Sequence, residues 1–283
     1  MSSSPTKLRI VSLGSSFAAG PGIAPQVEPL SAKRSGQNYP HLLAKELDAE
    51  LTDLSVSGAT LLNITTTPQK AIFSKEVFEP QILSVSSDAD IITVTAGGND
   101  IGYIGDMMFD AGKATTVGWV ANGIIQTIKP LVSIFCRPPE RPTPLSVEAL
   151  AQRLGETLDA IHEKAPNARV YLVEYLAVLG PSTKPGVDIQ FTQEKIDHHS
   201  QVASALQNAF AAAADSRSEW CERVPIHELS SDHVLGSPEP WVGGFALSSL
   251  FRGGSVLHPN LDGMRAIANI LLLKIRQDFP KKA

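Results

Sequence analysis

Three loops and a late histidine in this 283-residue chain carry side chains able to act on a carbonyl group. In Gly14-Ser15-Ser16-Phe17-Ala18-Ala19-Gly20-Pro21-Gly22 the glycines permit a tight turn that lifts a serine hydroxyl into solvent, one way to present a nucleophile. The same composition suits a phosphate-binding or plain connecting loop, although the Walker lysine is missing and the spacing is not GxGxxG. Thr95-Ala96-Gly97-Gly98-Asn99-Asp100 places a side-chain amide after an apolar run, where its N–H can donate to an oxyanion; taken alone, the residues equally make a Gly-Gly turn with Asx capping. Between these two, Ser57-Gly58-Ala59-Thr60 offers a glycine whose backbone N–H can approach a substrate closely. In Val256-Leu257-His258-Pro259-Asn260 the proline sits at a favourable first helical position and disfavours helical geometry at His258, so the ring belongs to a loop and is free to reach a neighbouring one. A lone loop histidine is more often structural than catalytic, so its meaning depends on what it meets.

The elements that position these loops show in the apolar patterning. Leu8–Leu13 (LRIVSL), Asp90–Thr95 (DIITVT) and Arg169–Leu176 (RVYLVEYL) read as buried strands, with Leu51–Val56 and Val224–Ile226 as weaker candidates for two more. Helical patterns cover Tyr39–Glu50, Val147–Lys164, Thr192–Ala214 and Asn260–Phe279. Such alternation predicts right-handed crossovers and a parallel sheet covered on both faces, with ligands bound beyond the carboxyl ends of the strands. The loops Gly14–Gly22, Ser57–Thr60 and Gly97–Asp100 all fall there. The segment Ile101–Pro144 is irregular in pattern, rich in glycine and ends in a proline-rich stretch, so it reads as an insertion near the site mouth of a single domain spanning residues 1–283. Its Met107, Met108, Phe109, Trp119, Ile124 and Ile125 suit either an acyl pocket or an extra helical layer with its own core.

Taken together, a Gly-Ser loop after the first strand, a glycine in the next strand's loop, GGND and a late HPN resemble the SGNH (GDSL-like) hydrolase family, whose sequence blocks are matched by LGSSFAAGPGI, SVSGAT, TAGGNDIGY and LHPNLDGM. The resemblance implies an α/β three-layer αβα sandwich around a flavodoxin-like parallel sheet of about five strands. It implies Ser16 as nucleophile, His258 as its general base, and an oxyanion hole made by the N–H groups of Ser16 and Gly58 with the Asn99 amide. The activity it implies is that of a serine esterase cleaving small-molecule or lipid carboxylic esters through an acyl-enzyme, with no metal or organic cofactor. An acyltransferase using the same Ser-His pair, and a non-catalytic binding protein on the same fold, are the alternatives. Two positions depart from the family pattern. Ser15 replaces the aspartate usual before the nucleophile, and Ser255 stands where the triad aspartate usually lies, three residues before the histidine. Some relatives orient the imidazole with a backbone carbonyl instead, so the carbonyl of Ser255 is the expected acceptor for His258 Nδ1–H. Asp232, Glu239 and Asp262 are substitute carboxylates, the last better suited to serving a helix dipole.

Composition narrows the partners. The formal charge of -5 provides no basic footprint for nucleic acid. No uninterrupted apolar run is long enough for a spanning helix. No apolar signal region precedes Leu8–Leu13, which gives a cytoplasmic location as the expectation. Two cysteines, Cys136 and Cys221, are too few for a disulfide scaffold and are expected as reduced thiols, with a single bridge left open. His227-Glu228-Leu229-Ser230-Ser231 fails as a zinc HExxH motif because its fifth residue is Ser231, and Asp197-His198-His199 reads as a solvated helix face.

Overall fold

A computed structural model describes residues 7–71, 74–114, 145–245 and 255–280. The central sheet has five strands: β1 (Arg9–Gly14), β2 (Glu50–Asp53), β3 (Ile91–Thr95), β4 (Arg169–Val173) and β5 (Cys221–Val224), in the order β2-β1-β3-β4-β5. Every pairing is parallel. β-Branched runs such as IITVT in β3 suit this position, since a parallel sheet buries both faces and all five residues of β3 are buried. The order is flavodoxin-like, and its switch point falls between β1 and β3, the strands whose following loops carry Ser16 and Asn99. Register places Gly14 beside Thr95, so those two loops leave the sheet side by side.

The helices are α1 (Ser16–Ala19), α2 (Tyr39–Glu46), α3 (Leu61–Thr65), α4 (Tyr103–Ala114), α5 (Val147–Lys164), α6 (Gln193–Asp215), α7 (Ile226–Leu229) and α8 (Leu261–Asp278). α2 packs with α8 and α5 with α6, and these pairs form the outer layers. Their starts are fixed by local hydrogen bonding: Ser146 caps α5, Thr192 caps α6, and Asn260 Oδ1 accepts from Gly263 N–H at 2.9 Å to cap α8. Pro259 therefore lies one residue before the cap rather than at the first helical position. α2 stops at Glu46, four residues short of the expected end, because the chain turns through Asp48 at φ 47°. β5 lies earlier than the sequence pattern suggests because Pro225 ends it and Ile226 opens α7.

The start of the expected insertion is regular: Tyr103–Ala114 is a helix of 12 residues. Ile104, Met107 and Ala111 on it belong to the main hydrophobic core, not to a core of their own, while Phe109 is exposed. Residues 115–144, with Trp119, Ile124 and Ile125, lie outside the described residues. Cys221 is a free, buried thiol whose pKa burial pushes up to about 12; Cys136 lies outside the described residues. Among the described residues no helix is long and apolar enough to cross a membrane.

Candidate active site

The serine loop is shaped by the end of β1. A Cβ on Gly14 would be driven into the carbonyl oxygen of Thr95, so only glycine lets the two strands close here. Buried Gln81 clamps the same residue twice, accepting from Gly14 N–H at 2.9 Å and donating to its carbonyl at 3.0 Å. Ser15 N–H then donates to Thr95 O at 2.9 Å, and the chain enters the single turn of α1 at Ser16. As the first residue of a helical turn, Ser16 has an N–H with no partner within the helix, and no acceptor meets it among the described residues.

Ser16 Oγ lies 2.8 Å from His258 Nε2. His258 Nδ1 lies 2.6 Å from the carbonyl oxygen of Val256. A carbonyl can only accept, so Nδ1 carries the proton and the lone pair of Nε2 faces the serine hydroxyl. Ser255 does not play the expected part: its carbonyl accepts instead from the backbone N–H of His258 at 3.3 Å. The reason is local. Leu257 takes φ 52°, a left-handed conformation rare for a branched side chain, and this turn directs the Val256 carbonyl back at the ring. The loop is held by backbone pairing with the segment before it. Gly243 N–H donates to His258 O and Leu257 N–H to Gly243 O, both at 2.9 Å, while Val242 bridges to Pro259. On its other side the imidazole meets Phe17, ring centroids 5.3 Å apart. Burial holds its pKa below the ordinary imidazole value; the Val256 carbonyl opposes this and the positive charge of Lys33 adds to it.

None of the substitute carboxylates serves the ring. Asp262 pairs with Arg265 at 3.1 Å in the first turn of α8, Asp232 is exposed, and Glu239 offers its backbone carbonyl to His233 Nδ1 at 2.7 Å.

The remaining loops are tied to the serine by hydrogen bonds. Val56 N–H donates to Gly14 O at 3.1 Å, which brings the turn containing Gly58 against the end of β1. Gly58 N–H meets no acceptor among the described residues. Asn99 Nδ2 donates one of its two protons to Ala59 O at 2.8 Å, which fixes the amide and leaves the second proton for a ligand. The neighbouring Asp100 accepts from Leu61 N–H at 3.0 Å and faces Arg153 at 3.5 Å, with only 1% of its side chain exposed. Burial raises the Asp100 pKa, against the pull of Leu61 N–H and Arg153. The loops of Ser16, Gly58 and Asn99 are thus one hydrogen-bonded unit, with His258 reaching in from the start of α8.

Among the described residues no group of three or more His, Cys, Asp or Glu can hold a metal ion. His199, expected on a solvated face, is buried; its ring stacks on Phe191 at 5.2 Å and faces Asp110 at 3.3 Å, joining α6 to α4. Sequence reasoning missed Gln81 and the Val256 carbonyl: an isolated glutamine between Pro80 and Ile82 carries no signal, and every residue has a carbonyl.

This fold matches known proteins. The model of the GDSL-like lipase/acylhydrolase family matches residues 12–266, and the chain belongs to that family, a class of carboxylic ester hydrolases. "Lipase 2" of Streptomyces coelicolor is 36% identical over 95 residues, which are 33% of this chain and 30% of that protein, so the match spans under a third of the relative. Among solved structures, an extracellular lipase from Streptomyces rimosus is 21% identical with a TM-score of 0.66, covering 95% of this chain and 99% of the other. A phospholipase A1 from Streptomyces albidoflavus is 17% identical with a TM-score of 0.68 and the same coverage. At these identities the likeness is one of fold.

Proposed function

We propose that the protein is a serine esterase in which Ser16 and His258 cleave carboxylic esters through an acyl-enzyme. The observation that carries this reading is the aligned pair of contacts at the imidazole: Ser16 Oγ at 2.8 Å on Nε2 and the Val256 carbonyl at 2.6 Å on Nδ1. His258 takes the hydroxyl proton as Ser16 Oγ attacks the ester carbonyl. The oxyanion is held by the N–H groups of Ser16 and Gly58 and the second N–H of Asn99. His258 then passes its proton to the departing alcohol, and water, activated by the same nitrogen, releases the acid. The imidazolium formed in each half-reaction is steadied by a neutral carbonyl dipole alone, a weaker support than a carboxylate. A non-catalytic binder would have no use for an imidazole nitrogen held on a hydroxyl in this tautomer.

The substrate is a small-molecule or lipid ester. Two crevices, of about 470 Å³ beside Lys7, Arg9 and Asp88 and about 380 Å³ beside Ile196, Ser200 and His227, are lined by none of Ser16, Gly58, Asn99 and His258. Hydrolysis of p-nitrophenyl esters across a range of acyl lengths tests the reading and ranks the chains. Release of p-nitrophenol that disappears in Ser16→Ala is the expected result; no hydrolysis of any ester by the folded protein contradicts it.

A further inference from the structure

We infer that Tyr175, just beyond β4, is a positioning residue for this reaction, its phenol hydroxyl locking the serine loop to the Asn99 loop. The inference rests on the esterase reading above. Tyr175 Oη lies 3.0 Å from Ser15 Oγ and accepts from Gly98 N–H at 3.1 Å. Ser15 is the residue before the nucleophile and Gly98 the residue before the oxyanion amide. The direction of the chain follows from counting protons. A backbone N–H only donates, so the single phenol proton is left for Ser15 Oγ, whose own proton has Thr95 O at 3.5 Å as its acceptor. Reversing the middle bond would strand the phenol proton in a fully buried place.

The fit around the ring is tight. A Cβ on Gly98 would come within 2.8 Å of the Tyr175 ring, so that position accepts only glycine while the tyrosine is present. Phe17 packs at a tilt against Tyr175 with centroids 4.6 Å apart and also against His258 at 5.3 Å; Tyr103 and Phe210 close the pocket edge-on. Through Ser15, Gly98 and Phe17, one side chain thus bears on the nucleophile, the oxyanion amide and the base. It touches no reacting atom. Burial pushes its pKa up to about 12, so the phenol stays neutral and keeps its donor throughout the working range. Ser15, the departure from the family's usual aspartate, is where this bond lands.

Tyr175→Phe keeps the ring and deletes the bonds. At a temperature well below unfolding it should lower kcat about tenfold or more with KM within about twofold, since both buried hydrogen bonds are lost. Its acid limb should stay in place, because the surroundings of His258 are untouched. Labelling of Ser16 by an organophosphonate, whose phosphonyl oxygen needs the same donors, should slow by the same factor. Ser15→Ala should act through the same chain, so the double variant should be no slower than Tyr175→Phe alone. Wild-type kcat and labelling in Tyr175→Phe, or two effects that multiply, would overturn the inference while leaving the esterase reading intact. A wild-type protein that neither hydrolyses esters nor is labelled would remove both.

Discussion

Around Ser16, the side chains of Gln81, Asn99, Asp100 and Tyr175 hold the backbone of three loops, whereas around His258 nearly every restraint is backbone on backbone. The serine side grows directly out of β1 and β3, whose residues are almost all buried, and its clamps reach into that core. The histidine side is a loop braced by the Gly243–Val256 and Val242–Pro259 bridges, with a left-handed Leu257 aiming one carbonyl. The difference teaches that the half carrying Ser16 and Asn99 is held by side-chain hydrogen bonds, while the orientation of His258 is set by chain path.

Substitutions separate the two halves. The largest effect on the side-chain-braced half is expected at Asn99: Asn99→Ala should lower kcat about 10²–10³-fold, with unfolding shifted only by the loss of its hydrogen bond to Ala59 O, measured by ester turnover and a melting curve. Asp100→Ala comes next. It strands Leu61 N–H and Arg153 beside a carboxylate site that is 1% exposed, and should cost about 1–3 kcal/mol of stability in urea unfolding while loosening the Gly58 turn.

On the histidine side the sharpest probe is pH. His258 must be unprotonated to act, and its pKa lies below the ordinary imidazole value, so the acid limb of kcat/KM should fall at a pH below about 6.5. Lys33 contributes to that lowering, so Lys33→Gln should move the limb upward, the smallest of these changes, without altering the plateau by more than about twofold. A limb well above pH 6.5 would point to a carboxylate partner and erase the contrast between the halves.

What was legible in the sequence divides along the same line. Ser16, Gly58, Asn99 and His258, each ambiguous alone, could be picked out because their four sequence blocks in order resemble one family, and the structure brings the hydroxyl and imidazole of the outer pair into contact. β1 and β3 could be read because β-branched runs buried on both faces leave no other pattern. β2 and β5 were displaced by a few residues because edge strands are part exposed and their patterning is weak. The acceptor at Nδ1 was misassigned by one residue, to Ser255, because a carbonyl's direction depends on a φ angle that no residue type announced at Leu257. Tyr175 and Gln81 act across 77 and 67 residues of chain, and such pairings exist only once the sheet is assembled.

The central claim is that Ser16 is a nucleophile activated by His258 without a carboxylate. Its most direct test is to treat the protein with an organophosphonate and map the adduct by mass spectrometry in the wild type, Ser16→Ala and His258→Ala. The account predicts a single adduct on Ser16, absent in Ser16→Ala and slowed at least about 10³-fold in His258→Ala. A folded wild type that carries no adduct, or one labelled as fast without His258, would contradict it.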